Sequence, residues 1–309
     1  MRTSQVVAPF EEPATAMQIH DSTLGEVQQR TLQALGCGVE RIERIEQIRT
    51  FPCLVAADDL YFTHHALAGF LRAASGVRRG GHNEAAMENY RAALEVSELT
   101  ERFTRTFQGE LIDADSEHPS RAFDLYFLRR LDASQPLAAQ ATPLVIPHRL
   151  RIRRLPANRF FEPTGQFTLP ISNVFLHPIR HWSAVITANL LGMPSEIVRR
   201  VARPATMIGM PAKLVWRAGS FRPGRLRAKT YIAGRGCRVD PTAHVEHAIL
   251  GDRVRIGPHA YVRGSVIGDY TQVGPSAIVE GSTIGRRATI NGGVTIRACV
   301  VGDAAGMGA

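Results

Sequence analysis

The sequence predicts two fold classes in one chain: an α/β domain first and a three-sided parallel β-solenoid last. Two observations carry this reading. A seventeen-residue pattern runs from Ile249 to Ala309, and the first 75 residues alternate strand-like and helix-like stretches around an acidic turn. A third observation separates the two parts, because the segment between them is strongly cationic.

The repeat reads ILGDRVRIGPHAYVRGS, VIGDYTQVGPSAIVEGS, TIGRRATINGGVTIRAC and then VVGDAAGMGA. Leu250, Ile267, Ile284 and Val301 share one position. Ile256, Val273, Ile290 and Met307 share a second, and Val262, Val279 and Ile296 a third. Within each segment these positions lie six, six and five residues apart. One inward aliphatic side chain per short strand, with three strands per turn, stacks identical positions into ladders. Gly251, Gly268, Gly285 and Gly302 follow the first position. Glycine is expected there because a sharp corner favours a residue free to adopt positive φ. The solenoid is expected over residues 231–309 in about four turns. Ala309 falls within a coil, so the sequence is expected to be a piece of a longer chain, or to be covered there by another subunit.

This spacing resembles the hexapeptide-repeat family, whose fold is the left-handed parallel β-helix. The resemblance implies a homotrimer. For the acyltransferases of that family it also implies acyl-CoA lying along the coils and a histidine general base acting on a sugar. A neutral histidine suits that role because it titrates near working pH. His244, His247 and His259 are the candidates, and His259, after Gly257-Pro258 in a corner, is the first choice. Asn291, in Asn291-Gly292-Gly293, is placed to orient a substrate. Polar corner residues on an inert solenoid are the competing reading.

In the first 75 residues, Gln5 to Ala8 reads as a short strand and Thr23 to Glu26 has capping-box spacing. Leu24, Val27, Thr31, Ala34 and Leu35 then share one helical face, closed by Gly36. Val39 to Ile45 alternates as a strand would. Phe51 to Ala57 is a continuous apolar run expected as a buried parallel strand, with Asp58 and Asp59 at its end. Thr63 caps a helix from His64 to Ala74. Further on, Glu84 to Phe103 reads as helix, while Phe123 to Leu128 is open between strand and buried helix.

AMQIHDSTLGEVQQRTLQALGCGVERIERI and FPCLVAADDLYFTHHALAGFL resemble the sugar-1-phosphate nucleotidyltransferases, many of which carry a C-terminal β-helix. The resemblance implies that Asp58 or Asp59 holds the Mg²⁺ bridging nucleotide and sugar phosphates. The chain departs from that family where phosphate is cradled. It has no Gly before Gly25 and no Lys before Lys213, and Pro9-Phe10-Glu11-Glu12-Pro13 is acidic where a triphosphate would sit. Nucleotidyl transfer is therefore expected to be impaired. His64 and His65 read as polar residues at a helix start, and Asp113, Asp115 and Glu117 as an acidic loop or a second carboxylate set.

Domains are expected at 1–130 (nucleotidyltransferase-like), 131–230 (basic connector) and 231–309 (β-helix). The 309 residues carry +9, yet His148 to Thr230 holds fifteen Lys or Arg against two acids. That cationic stretch fits packing against the acidic remainder, peripheral contact with an anionic membrane, or a phosphorylated ligand. No nucleic-acid-binding fold is recognisable in it. Pro178 to Met193 is expected as a helix with Trp182, Ile186, Leu190 and Met193 on one stripe, and Pro194 as the start of another. Cys37, Cys53, Cys237 and Cys299 are scattered without a CxxC, which fits a cytoplasmic protein. Neither a signal peptide nor an 18-residue apolar run is expected. Three functions follow: a protein of sugar-nucleotide or surface-polysaccharide metabolism acting on sugar phosphates or nucleotide sugars, an acyl-CoA-dependent sugar acyltransferase, or a trimeric scaffold.

Overall fold

A computed structural model describes residues 6–7, 11–20, 22–76, 88–95, 110–112, 119–147, 151–156, 166–201 and 231–308. The chain divides into two compact units. One comprises Met1–Val7, Pro13–Thr15 and Gln28–Arg180, and the other Ala8–Glu12, Ala16–Val27 and His181–Ala309. Among the described residues no helix is long and apolar enough to cross a membrane.

Helix α1 (Leu24–Ala34) begins at the expected capping box. The Thr23 amide donates to Glu26 Oε2 at 2.8 Å and the Glu26 amide to Thr23 Oγ1 at 3.3 Å. Gly36, at φ 77°, ends it. Val39 to Ile45 forms no strand: Val39 is 41% exposed, and a 3-10 turn follows at Ile45–Gln47. Alternation alone does not make a strand without a neighbour to pair with.

The first unit is built on a mixed sheet. Its strands are β1 (Cys53–Ala56), β3 (Tyr90–Glu95), β4 (Glu110–Ile112), β5 (Ser120–Leu128) and β6 (Thr142–Val145), and β2 (Leu60–Phe62) lies outside it. The order is β6-β3-β5-β1, with β4 also on β5. Only β6 and β3 run parallel; β1 pairs antiparallel with β5, from Cys53↔Leu128 to Ala56↔Leu125. This corrects the expected parallel strand, because a continuous apolar run reports burial on both faces and not direction. The part of the expected 84–103 helix that is described contains strand β3. Its Ala, Leu and Glu favour helix, but Tyr90 to Leu94 are buried between β6 and β5, and tertiary pairing overrides propensity. Phe123 to Leu128 belongs to strand β5.

Helix α2 (His64–Gly76) lays Leu67 and Phe70 into a core with Phe62, Leu125, Ile146 and Leu176, all fully buried. Two antiparallel pairings complete the unit. Arg151–Pro156 runs antiparallel to Gln166–Ile171, and Leu176–Pro178 to β2. Thr63 ties the start of α2 to the segment before Leu176. Its hydroxyl donates to the Asn173 carbonyl at 2.6 Å and accepts from the amides of Ala66 at 3.3 Å and Phe175 at 3.2 Å. Thr63→Val keeps the shape but strands these buried groups, so chemical denaturation should show a loss of about 2 kcal/mol.

The second unit is a left-handed parallel β-solenoid of about five turns with one long helix. The first turn begins at Tyr231–Ala233, one coil before the clear repeat and one more than expected. Each side is a parallel ladder in register at an interval of seventeen, as in Leu250↔Ile267, Ile256↔Val273 and Val262↔Val279. The three aliphatic ladders form the core. Each fully buried Val or Ile contributes about 2 kcal/mol.

The corner glycines have a different cause from the one expected. A Cβ on Gly268 would stand 2.6 Å from the Gly285 carbonyl carbon and 2.7 Å from the Arg286 nitrogen. Close approach of successive coils, not positive φ, demands glycine there. The left-handed conformations sit elsewhere, at Arg253, Tyr270, Arg287 and Ala304 in one corner and at His259 and Ser276 in another.

Helix α3 (Trp182–Val201) covers the first side of the solenoid. Met193 packs on Ile249 and Val266, which point out of the coil on that side. The helix starts four residues later than Pro178, because Leu176–Pro178 is strand, and it continues through Pro194 rather than restarting there. Its buried face holds Ala184, Val185, Ala188, Leu191 and Met193, so of the expected stripe only Met193 is fully inward. Residues 148–150, 157–165 and 202–230 of the basic segment, including Lys213 and Lys229, lie outside the described residues.

Candidate functional site

Strand β1 ends in the turn that carries Asp58 and Asp59, and the first unit builds a chain of alternating charge around it. Gln28 clamps the turn by donating its side-chain amide to the carbonyls of Ala57, Asp58 and Leu60. Asp59 is 1% exposed, and Arg180 Nε donates to its Oδ2 at 3.0 Å. The same guanidinium lies 3.5 Å from Asp124 Oδ2. Asp124 Oδ1 in turn accepts from Arg91 at 3.0 Å and from the Tyr126 hydroxyl at 2.8 Å, and Arg91 continues to Glu110. The order is Asp59, Arg180, Asp124, Arg91, Glu110. Asp124 reaches Asp59 because the Ala57 amide donates to the Asp124 carbonyl, which sets β5 beside the turn.

Burial pushes the Asp59 carboxyl above its ordinary value, and the hydrogen bond and charge of Arg180 pull it back down. Burial, and then the Asp124 carboxylate, raise the Tyr126 hydroxyl well above its ordinary value, so it remains a donor. His177, wholly buried beside Phe175, is drawn down to about 3 by burial and stays neutral.

These groups do not fit a magnesium ion. Mg²⁺ needs carboxylate oxygens free to face it and usually shares them with substrate phosphate. Here Asp59 and Asp124 are directed at guanidinium groups. Among the described residues no group of three His, Cys, Asp or Glu is arranged to hold a metal. Asp113, Asp115 and Glu117 lie outside the described residues. His64 and His65 open α2, with their rings edge to face at 6.0 Å.

On the solenoid, His259 is exposed in a corner at φ 56°, and its amide donates to Thr242 Oγ1 at 3.0 Å. Among the described residues no hydrogen bond to its ring is found. Asn291 is exposed in the same corner two coils further along, its amide donating to the Met307 carbonyl. His244 and His247 instead converge on Glu246, at 3.4 Å and 3.3 Å, although Glu246 is only 4% exposed. His244 also stacks on Tyr261 with ring centroids 4.8 Å apart. Sequence reasoning found both histidines but missed the glutamate. The signal was there: His-Val-Glu-His places Glu246 beside one histidine and two residues from the other.

A buried carboxylate and a five-turn solenoid set the terms for comparison with known proteins. Residues 225–305 match the family model of the GMPPB C-terminal domain. The GMPPB C-terminal domain match covers the solenoid, about a quarter of the 309-residue chain. No curated protein matches the chain significantly.

Proposed function

We infer that this protein serves sugar-nucleotide or surface-polysaccharide metabolism, on a nucleotidyltransferase-like plan whose own transfer step is impaired. The observation that carries the pathway is the match of residues 225–305 to the GMPPB C-terminal domain. Impairment is supported by the ion pair between Asp59 and Arg180, which occupies the carboxylate that a transferase would give to its metal. The acidic turn that stands in place of a glycine-rich phosphate loop supports it too.

The test uses the full chain with Mg²⁺, each nucleoside triphosphate and a panel of sugar 1-phosphates. Pyrophosphate release should stay at background while thermal shift reports binding of a phosphorylated ligand. Turnover near 1 s⁻¹ or above, in the ordinary range for enzymes, would sink the impaired reading. Acyl transfer is the second reading, favoured by the two histidines that meet buried Glu246, an arrangement that orients imidazole. Release of free CoA from an acyl-CoA and a sugar, lost on Glu246→Gln or His259→Ala, would replace the first reading with it.

A further inference from the structure

The three outward faces of the solenoid are treated differently. One lies under helix α3. A second carries a ladder of alternating sign, Glu246↔Arg263↔Glu280↔Arg297, in which Arg297 donates to Glu280 at 2.7 Å. The remaining face places Arg238 directly opposite Arg255 in the parallel register, with Gln272 next in line. Arg253 stands in the adjoining corner, its guanidinium over the Tyr270 ring at 5.4 Å from the centroid. Like charges opposite one another on a sheet destabilise it. Among the described residues none of Arg238, Arg253 and Arg255 has a carboxylate in ion-pair range, whereas Arg235, Arg263 and Arg297 all do. Asp252, the acid nearest in sequence to Arg253, is held by Arg235 and by the Arg235 amide.

These residues enclose space. Gly236, Arg238, Arg253, Arg255, Tyr270 and Gln272 line a groove of about 410 Å³, within the range of small-ligand sites. Gly236 heads the corner ladder without a side chain, which opens that end. Three unneutralised guanidinium groups suit a multiply charged phosphate, since arginine recognises phosphate oxygens in pairs. Tyr270, 48% exposed, offers a flat ring beside them. We propose that this groove binds a nucleoside diphosphate or its sugar ester, with the diphosphate across Arg238 and Arg255 and the base against Tyr270 and Arg253. The site uses solenoid residues alone, so it does not depend on whether the first unit transfers nucleotide.

Isothermal titration of the full chain with ADP, GDP and inorganic pyrophosphate tests it. All three should bind. An Arg238→Gln/Arg255→Gln double variant should lose at least about tenfold in affinity for each. Tyr270→Ala should lose about tenfold for ADP and GDP and keep pyrophosphate, because stacking serves only the base. The double variant removes a like-charge contact, so its melting temperature should hold or rise. The proposal is overturned if none of the three binds at millimolar concentration, or if the double variant binds ADP and GDP as wild type does. It is equally overturned if the double variant melts lower, or if anionic vesicles bind where nucleotides do not.

Discussion

Gly268→Ala should lower the melting temperature of the protein by about 5–10 °C, and Gly302→Ala, at the equivalent position in the last described coil, should leave it almost unchanged. The difference lies in what the new methyl meets. At Gly268 it would press on backbone atoms of Gly285 and Arg286 at 2.6 Å and 2.7 Å, and backbone cannot rotate away. At Gly302 nothing stands within 4 Å. Relief at Gly268 requires two hydrogen-bonded coils to separate, and overpacking of that kind costs about 3 kcal/mol. For a domain of this size each kcal/mol shifts melting by about 2–4 °C. Equal losses for the two variants, measured by differential scanning calorimetry, would show that coil spacing is not what excludes a side chain there.

Arg180→Ala carries the second large effect. Removing the guanidinium leaves Asp59 at 1% exposure beside Asp124 with no countercharge, and breaking a buried pair from one side costs about 3–5 kcal/mol. Asp59→Asn should cost much less, because Arg180 is partly exposed and keeps Asp124 at 3.5 Å. The two also differ in pH dependence. A raised carboxyl pKa means that the folded state holds the proton more tightly than the unfolded chain does. Asp59 therefore costs stability as pH rises from 3.8 through its raised value, and returns that stability as pH falls back. Without Arg180 the shift grows and the window extends upward. Urea unfolding of Arg180→Ala should show a smaller deficit at pH 5 than at pH 8, and a deficit that grows on acidification would refute this account of Asp59.

Different distances of interaction explain what the sequence disclosed. The solenoid was legible because each coil answers only its neighbours, so one period written in Leu250, Ile267, Ile284 and Val301 specifies the core. Its first coil fell inside the expected 231–309 but was not counted as a turn, because Ala233 occupies the ladder position there and gives too little signal. Strand β3 was misread because its sequence favours helix, while its partners are strands twenty-five or more residues away. Asp59 was found at the end of an apolar run, but Arg180, 121 residues further on, could not be paired with it from spacing. The Glu246 cluster lies between these cases, since its members are close in sequence and only their burial was hidden.

The fixed interval of seventeen has a consequence for how such a domain changes length. Backbone amides tie each coil to both neighbours, as Gly251 donates ahead to Ile267 and Arg253 back to Arg235. Loss or duplication of one whole coil returns each Leu, Ile, Gly and hydroxyl to an equivalent slot. A change of any other size rotates every later side chain to the wrong wall at once. The domain can therefore grow or shrink in quanta of a single turn, while α3 sees the same outward surface at each step.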